Sequence, residues 1–215
     1  MSYQTQRYSP NTQVSVFPPA IKHLIIINVV VFVASFTPGI GQYLEAYAPL
    51  YPFASPHFHI WQFVTYMFMH ANFLHIGFNM FALWMFGQGI ENLWGTKRFV
   101  IYYFVTGIGA GLCFILINNG PVMTPQGLFY IPTIGASGAV YGILLAFGMM
   151  FPNRRIMLLF PPIPMKAKYF VAIFGGLELF MGIGGFGSGV AHFAHVGGII
   201  FGFILIKFWG LKKVE

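Results

Sequence analysis

Residues 134–147 read IGASGAVYGILLAF, an apolar run that carries a single serine, Ser137, among small residues. Ser137 and Tyr141 are four residues apart, and so are Gly138 and Gly142, so each pair shares one face of a helix. A stripe of glycines lets a neighbouring helix approach closely. The run therefore predicts a membrane-spanning helix that brings a hydroxyl group to a close helix–helix contact.

The composition of the whole chain is that of a protein with several membrane spans. Of its 215 residues, 57% are hydrophobic and only 7% are charged. Since one span takes roughly 20 apolar residues, the sequence predicts six spans, at 21–37, 71–93, 98–117, 134–151, 168–186 and 190–208. We expect an all-α membrane domain over residues 20–210, between a polar cytoplasmic tail at 1–19 and a short cytoplasmic tail at 211–215.

The positions of the basic residues predict how these spans are oriented. All eleven Lys and Arg residues lie near the two ends of the chain or after the second and fourth spans, and the connections 38–60, 118–133 and 187–189 have none. Because cytoplasmic connections carry the excess of Lys and Arg, both termini are predicted to be cytoplasmic. The basic residues that give the net charge of +7 are thus predicted to lie on one side of the membrane. This placement indicates a lipid bilayer, and no nucleic acid, as the partner. The compact form favours a prokaryotic plasma membrane.

The acidic residues exclude several classes of membrane protease. The chain has four acids, all of them glutamate. An aspartyl protease needs two aspartates and a Ser-His-Asp triad needs one, so both are excluded. No His is followed by Glu, which excludes the H-E-x-x-H motif of a zinc protease. Serine and histidine remain as the candidate reactive groups, and no metal or cofactor is predicted.

A second glycine stripe lies in the last predicted span, in AHFAHVGGIIFG at residues 191–202. Gly198 and Gly202 are four residues apart, and His195 stands three residues before Gly198. Packing of the two stripes against each other would bring Ser137 beside His195. His192 lies on nearly the same face, but the glycine context favours His195.

The second predicted span adds two polar residues at the same depth. His75 and Asn79 are four residues apart and share one helix face. Polar groups are expensive inside a bilayer and mark functional sites. Three spans are thus predicted to bring four polar side chains to one level near the outer end of the bundle.

This constellation suits acyl transfer. A serine hydroxyl becomes a nucleophile when a base takes its proton, and His195 can be that base. His75, Asn79 and the backbone N–H of Ser137 can stabilise an oxyanion. With no third carboxylate predicted nearby, His195 must be oriented by packing against Tyr141. For Glu178, a lone acid inside the fifth span, we expect a hydrogen-bonded structural role or exposure to a water-filled cavity, with a proton relay as the alternative.

The motifs IGASGAVYG at 134–142, H-x-x-x-N at 75–79 and AHVGG at 194–198 resemble those of the rhomboid intramembrane serine proteases, as do His70 and Glu91-x-x-x-Gly95. The resemblance implies a six-helix rhomboid fold, with Ser137 as nucleophile, His195 as base, and His75 and Asn79 at the oxyanion. It implies cleavage of single-pass membrane proteins near the outer membrane face, without a cofactor. Supporting residues are Tyr141 and the glycines Gly135, Gly138, Gly198 and Gly202.

One pair departs from the family pattern, and two other functions stay open. Trp61-Gln62 stands where many members carry Trp-Arg. A non-catalytic rhomboid-like protein that binds membrane helices would share the fold, although such relatives usually lack the serine or the histidine. A transporter or proton channel built on Glu178 and the histidines would show flux that survives Ser137→Ala.

Overall fold

A computed structural model describes residues 14–125, 127–157, 162–184 and 191–214 of the chain. Most of the tail predicted at 1–19, namely residues 1–13, lies outside the described residues, as does Glu215. The same is true of the connection at 187–189. Within the described residues the fold is mainly helical, as predicted.

The helices are, in chain order, α1 (Pro19–Ala34), α2 (Ile40–Tyr47), α3 (Gln62–Thr65), α4 (Phe73–Trp94), α5 (Thr96–Ile117), α6 (Ser137–Met150), α7 (Ala167–Gly184) and α8 (His192–Phe208). A 3₁₀ turn, Tyr66–Phe68, follows α3. The six long helices, α1 and α4 to α8, each begin and end within three residues of a predicted span. Long apolar runs between Pro-rich, Gly-rich or charged breaks are therefore enough to locate them.

Two helices of the described chain, α5 and α7, are long and apolar enough to cross a membrane by length and composition. The apolar helices α1, α6 and α8 are shorter, with 16, 14 and 17 residues. The mainly helical fold is thus confirmed, and the count of six spans stays a prediction.

The connections contain short strands that an all-α fold does not include. Strands β1 (Val122–Thr124) and β2 (Gly127–Phe129) form one antiparallel hairpin, and β3 (Arg155–Met157) and β4 (Pro164–Lys166) form another. The prolines in the connection after α6 indicate turns and give no sign of a strand. Three-residue strands are too short to produce a recognisable alternation of polar and apolar residues.

Helices α5, α6 and α8 pack against one another at the centre, and α4 lies against α6. Tyrosine hydroxyls link this centre: Tyr102 of α5 donates to the carbonyl oxygen of Gly142 at 2.7 Å, and Tyr66 donates to that of Gly107 at 2.6 Å. Helix α7 lies outside this centre, against α6 and α8, and Ala167 is the only buried residue among those described in it. The most exposed long helix is therefore the one that carries Glu178.

A buried carboxylate connects α1 to α4. Glu91 accepts hydrogen bonds from the backbone N–H groups of Ala20 at 2.9 Å and Ile21 at 3.0 Å, and from the hydroxyl of Thr96 at 2.7 Å. These N–H groups belong to the first turn of α1, which has no intrahelical partners for them and attracts negative charge. Gly95, at φ +80°, ends α4 beside it. The Glu91-x-x-x-Gly95 motif is thus a cap between helices.

We expect Glu91→Gln to lower the stability of the protein and to leave the arrangement of the residues around Ser137 unchanged. The amide keeps one acceptor oxygen and loses the charge, so at least one buried N–H group is left without its partner. The loss is about 2 kcal/mol, which corresponds to a drop of roughly 4–8 °C in the melting temperature in detergent. Glu45→Gln is the matched control, because Glu45 is exposed. Equal melting temperatures for the two variants would contradict the capping role.

Gln62 anchors the long connection between α2 and α4. Its fully buried side chain accepts from the N–H groups of Tyr51 at 3.2 Å and His59 at 3.1 Å, and donates to the carbonyl oxygens of His57 at 2.9 Å and Tyr47 at 3.4 Å. An amide offers both donors and acceptors, whereas a guanidinium group only donates. Gln62 therefore anchors the loop at the position where the Trp-Arg pattern would place arginine.

Candidate active site

Ser137 and His195 meet at the starts of two central helices. Ser137 is the first residue of α6, and His195 lies in the first turn of α8. Nε2 of His195 is 2.8 Å from Oγ of Ser137. This is hydrogen-bond distance between a potential base and a hydroxyl group, so the structure brings together the pair that the two glycine stripes predicted.

The close approach of α6 and α8 depends on glycine. A Cβ atom added at Gly198 would lie 1.9 Å from the carbonyl oxygen of Gly138, and one added at Gly138 would lie 2.4 Å from Cβ of Ala110. Backbone thus packs directly on backbone at the level of Ser137. No larger residue fits there without moving a helix.

The second half of each stripe faces α5. A Cβ atom at Gly142 would lie 2.7 Å from Thr106, and one at Gly202 would lie 2.4 Å from the hydroxyl of Tyr102. The prediction that the two stripes pack together is therefore right at Gly138 and Gly198 and wrong one turn below. There, the side chains of α5 fill the space between α6 and α8.

Gly135 opens a space between His75 and Ser137. It adopts φ +121°, and a Cβ atom built there would lie 2.8 Å from Nε2 of His75 and 3.7 Å from Oγ of Ser137. Only glycine adopts this conformation readily and also leaves this space empty. The backbone N–H of Ala71 donates to Nδ1 of His75 at 3.3 Å, which leaves Nε2–H as a donor towards this space.

Asn79 lies one turn below His75 and is buried. Its Nδ2 donates to the carbonyl oxygen of His75 at 2.9 Å. Since an amide group carries two N–H donors, one donor of Asn79 remains for another partner. The structure thus brings His75 next to Ser137 and keeps Asn79 on the same helix face.

Tyr141 lies flat against His195, as the sequence predicted. The two ring centroids are 4.4 Å apart and the ring planes are inclined by 15°. The Tyr141 hydroxyl donates to Oε1 of Glu178. One side chain of α6 therefore fixes the plane of the imidazole and also contacts α7.

The prediction that no third carboxylate lies near His195 is wrong. Oε2 of Glu178 lies 2.9 Å from Nδ1 of His195 and 2.6 Å from Nδ1 of His192. The His192 ring lies perpendicular to that of His195, with centroids 6.5 Å apart. Of the two histidines, the structure therefore brings His195 to Ser137, while the described contacts of His192 lead to Glu178.

The same three residues have the composition of a metal site. The potential ligand atoms of Glu178, His192 and His195 all lie within 4.8 Å of one another. Donors bound to one zinc ion at about 2.0–2.1 Å would lie roughly 3.3 Å apart in tetrahedral geometry. The separations of 2.6 and 2.9 Å between nitrogen and carboxylate oxygen instead fit direct contact between the side chains.

His70 supports His75 from the connection before α4. Its buried ring packs edge to face against that of His75, with centroids 5.0 Å apart. Burial, together with the neighbouring His75, lowers the pKa of His70 to about 4. Neither ring nitrogen has a hydrogen bond of regular geometry among the described residues, although the backbone of Phe68 partly opposes the lowering of this pKa. With this low pKa the His70 ring is neutral near pH 7, and it supports His75 by packing.

A comparison with protein-family models matches residues 57–211 to the Rhomboid domain. The chain belongs to the rhomboid family. This match covers the helices that carry His75, Ser137, Glu178 and His195, so the family resemblance drawn from the motifs is confirmed.

Rhomboid relatives from distant organisms resemble the chain at similar identity. It is 30% identical over 157 residues to rhomboid protease AarA of Providencia stuartii, which covers 67% of this chain and 54% of that protein. It is 29% identical over 164 residues to Rhomboid protein 1, mitochondrial, of Saccharomyces cerevisiae, a match that covers 75% of this chain and 45% of that protein. It is 30% identical over 153 residues to rhomboid protease GluP of Bacillus subtilis, a match that covers 71% of this chain and 27% of that protein. The chain thus spans about half the length, or less, of these relatives.

Rhomboid proteins are embedded in membranes, and this agrees with the composition of the chain. One relative is named as mitochondrial, so family membership does not by itself support a prokaryotic plasma membrane. That location is a prediction from the sequence alone.

Sequence reasoning missed the contact of Glu178 with His195 in this rhomboid chain. Glu178 lies 17 positions before His195, on the exposed helix α7, and the connection between α7 and α8 carries no signal of how the two helices pack. The one available signal was a lone acid in the middle of an apolar helix, which requires a partner.

Proposed function

We propose that this chain is an intramembrane serine protease that hydrolyses peptide bonds of single-pass membrane proteins near the outer membrane face. The observation that carries the proposal is the 2.8 Å contact between Nε2 of His195 and Oγ of Ser137. The relatives that are named as rhomboid proteases support it. Neither a metal nor a cofactor enters the proposed reaction.

The proposed reaction is acyl transfer in two steps. Oγ of Ser137 attacks the substrate carbonyl carbon while its proton passes to Nε2 of His195, and that proton then goes to the departing amine nitrogen as the peptide bond breaks. In the second step a water molecule gives a proton to His195 and attacks the acyl carbon; the bond between this carbon and Oγ of Ser137 then breaks, His195 returns the proton to Oγ, and the new carboxyl group is released. No other reactant is needed.

Three groups surround the position of the oxyanion. Nε2–H of His75 faces the space beside Gly135, and the free N–H of Asn79 is on the same helix. The backbone N–H of Ser137 belongs to the first turn of α6, where N–H groups have no intrahelical partner and the helix end favours negative charge. Such donors stabilise the charge that develops on the carbonyl oxygen.

The proposed topology has six spans with both termini in the cytoplasm. Helix α6 begins at Ser137 and ends at Met150, just before the basic residues Arg154 and Arg155. Basic connections stay on the cytoplasmic side, so the serine end of the helix faces outwards. We propose the membrane domain at 20–210, with cytoplasmic tails on either side, in a plasma membrane of a prokaryotic cell.

A fluorogenic single-pass peptide, with small residues in the outer half of its spanning helix, tests the activity in proteoliposomes. We expect the full chain to cut this peptide within the outer half of the helix, and Ser137→Ala to leave it intact. Binding of the peptide without cleavage by the unaltered, folded chain would contradict the proposal. That outcome would fit a non-catalytic protein that binds membrane helices.

A further inference from the structure

We propose that Glu178 is a positioning residue for His195, so that the chain works with a Ser137–His195–Glu178 triad. The inference rests on the proposed function, because a triad needs a serine that reacts. It replaces the simpler arrangement in which packing alone orients the imidazole.

The imidazole of His195 lies between a hydroxyl and a carboxylate. Nε2 is 2.8 Å from Oγ of Ser137, and Nδ1, on the other side of the ring, is 2.9 Å from Oε2 of Glu178. A carboxylate on Nδ1 selects the tautomer whose Nε2 is free to accept the serine proton. Stacking on Tyr141 fixes the plane of the ring but cannot select a tautomer.

The contact at Nδ1 is electrostatic in the resting protein. Nδ1 of His195 has no in-line hydrogen bond among the described residues, although the carboxylate oxygen is at ion-pair distance. Hydrogen bonds of this kind often tighten only when the reaction begins. A positive charge on the imidazole would draw the two groups together, and both side chains are at most 13% exposed, so the attraction is only weakly screened.

The carboxylate is itself held in place from two sides. The Tyr141 hydroxyl donates to Oε1, and Nδ1 of His192 lies 2.6 Å from Oε2. Because the Tyr141 ring also stacks on His195, one residue aligns both the base and its carboxylate partner. This arrangement is typical of a group that orients a base.

The proton balance leaves Glu178 unchanged. The serine proton moves to Nε2 of His195, the Nδ1 proton stays on the ring, and the resulting imidazolium faces the negative carboxylate. When Nε2 gives its proton to the leaving amine, the ring is neutral again. Glu178 therefore stabilises the charged intermediate of His195 without taking a proton.

Several titratable groups surround His195 and share in any dependence on pH. Glu178 faces it from α7, Tyr141 from α6 and His192 from its own helix. His75 of α4 interacts with it electrostatically across the site, and Cys113 of α5 lies against the neighbouring Gly197. Glu178 is the only carboxylate in this set, so Glu178→Gln makes the local charge more positive by one.

The test is the rate at which a fluorophosphonate labels Ser137, measured on the full chain in detergent from mildly acidic to mildly alkaline pH. Glu178→Gln keeps the shape of the side chain and removes its charge. We expect its labelling rate to fall on the order of 10- to 100-fold. Without the carboxylate the protonated imidazole is less stable, so the acid limb of the rate profile should move to lower pH.

Controls separate positioning from a purely structural role. Glu45→Gln removes an exposed acid and should leave both the rate and the profile unchanged. If Glu178 only ties α7 to α6 and α8, Glu178→Gln will lower the melting temperature and leave the acid limb where it was, which would overturn the inference. If the unaltered chain is not labelled at Ser137, the proposed function fails instead.

A second measurement needs no altered residue at position 178. In the phosphonylated protein at low pH, the Nδ1 proton of His195 should give a low-field NMR resonance, because a carboxylate accepts it. The resonance is assigned in protein with ¹⁵N-labelled histidine, and it should persist in His192→Ala, which still reacts with the fluorophosphonate; this distinguishes it from a proton on His192, whose Nδ1 also lies near Glu178. A resonance at the position of a solvent-exposed imidazole would overturn the inference even if Glu178→Gln does not fold.

Discussion

Replacing His195 with alanine should lower the rate of Ser137 labelling by a fluorophosphonate by about 10³-fold or more. Nε2 of His195 is 2.8 Å from Oγ of Ser137, and without this base the hydroxyl keeps its proton and is a poor nucleophile. The rate is measured on the purified full chain in detergent, with the melting temperature recorded to show that the variant is folded.

Two further histidine variants make this test specific. His23 is exposed on α1, so His23→Ala should label at the normal rate. His192 contacts Glu178, whereas the described side-chain contact of Ser137 is with His195, so the labelling rate of His192→Ala should fall at most about tenfold. A greater loss in His192→Ala than in His195→Ala would show that the wrong histidine has been assigned as the base.

Gly198→Ala is expected to have the largest effect on stability. The added Cβ atom would lie 1.9 Å from the carbonyl oxygen of Gly138, and a backbone atom inside a helix cannot move aside as a flexible side chain can. Overpacking costs about 1–3 kcal/mol, and because this contact is with rigid backbone we expect the upper end, about 3 kcal/mol, which is a drop of roughly 6–12 °C in melting temperature. Because α6 and α8 are forced apart, labelling of Ser137 should fall as well.

Gly176→Ala is the matched control for this change. A Cβ atom at Gly176 of α7 meets nothing within 4 Å, and alanine is the better helix former. Its melting temperature should stay the same or rise slightly. Equal melting temperatures for Gly198→Ala and Gly176→Ala would show that helices α6 and α8 do not depend on glycine for their contact.

The parts of the fold that sequence predicted well are those encoded locally. The long helices could be located because each is an apolar run with its own end signals. The meeting of Ser137 and His195 could be predicted because Gly138 and Gly198 mark where two backbones touch. In each of these cases the signal lies within a few residues of the feature it predicts.

The parts that sequence could not predict depend on how helices turn towards each other. Beyond its first turn, Glu178 is the only charged residue of helix α7, so the apolar pattern does not say which neighbouring helix this face meets, and the contact of Glu178 with His195 is not predicted. The same reason explains why Gly142 and Gly202 were expected to touch when the side chains of α5 lie between them. The anchoring by Gln62 depends on four backbone groups that only the folded loop brings together.

The most direct test of the central claim is to locate the covalent adduct. The full chain, reconstituted in lipid vesicles, is treated with a fluorophosphonate, digested and analysed by mass spectrometry. Activation of Ser137 by His195 predicts one phosphonyl group on the peptide that contains Ser137, lost in His195→Ala and after heat denaturation. An adduct on another residue, or equal labelling of folded and denatured protein, would contradict it.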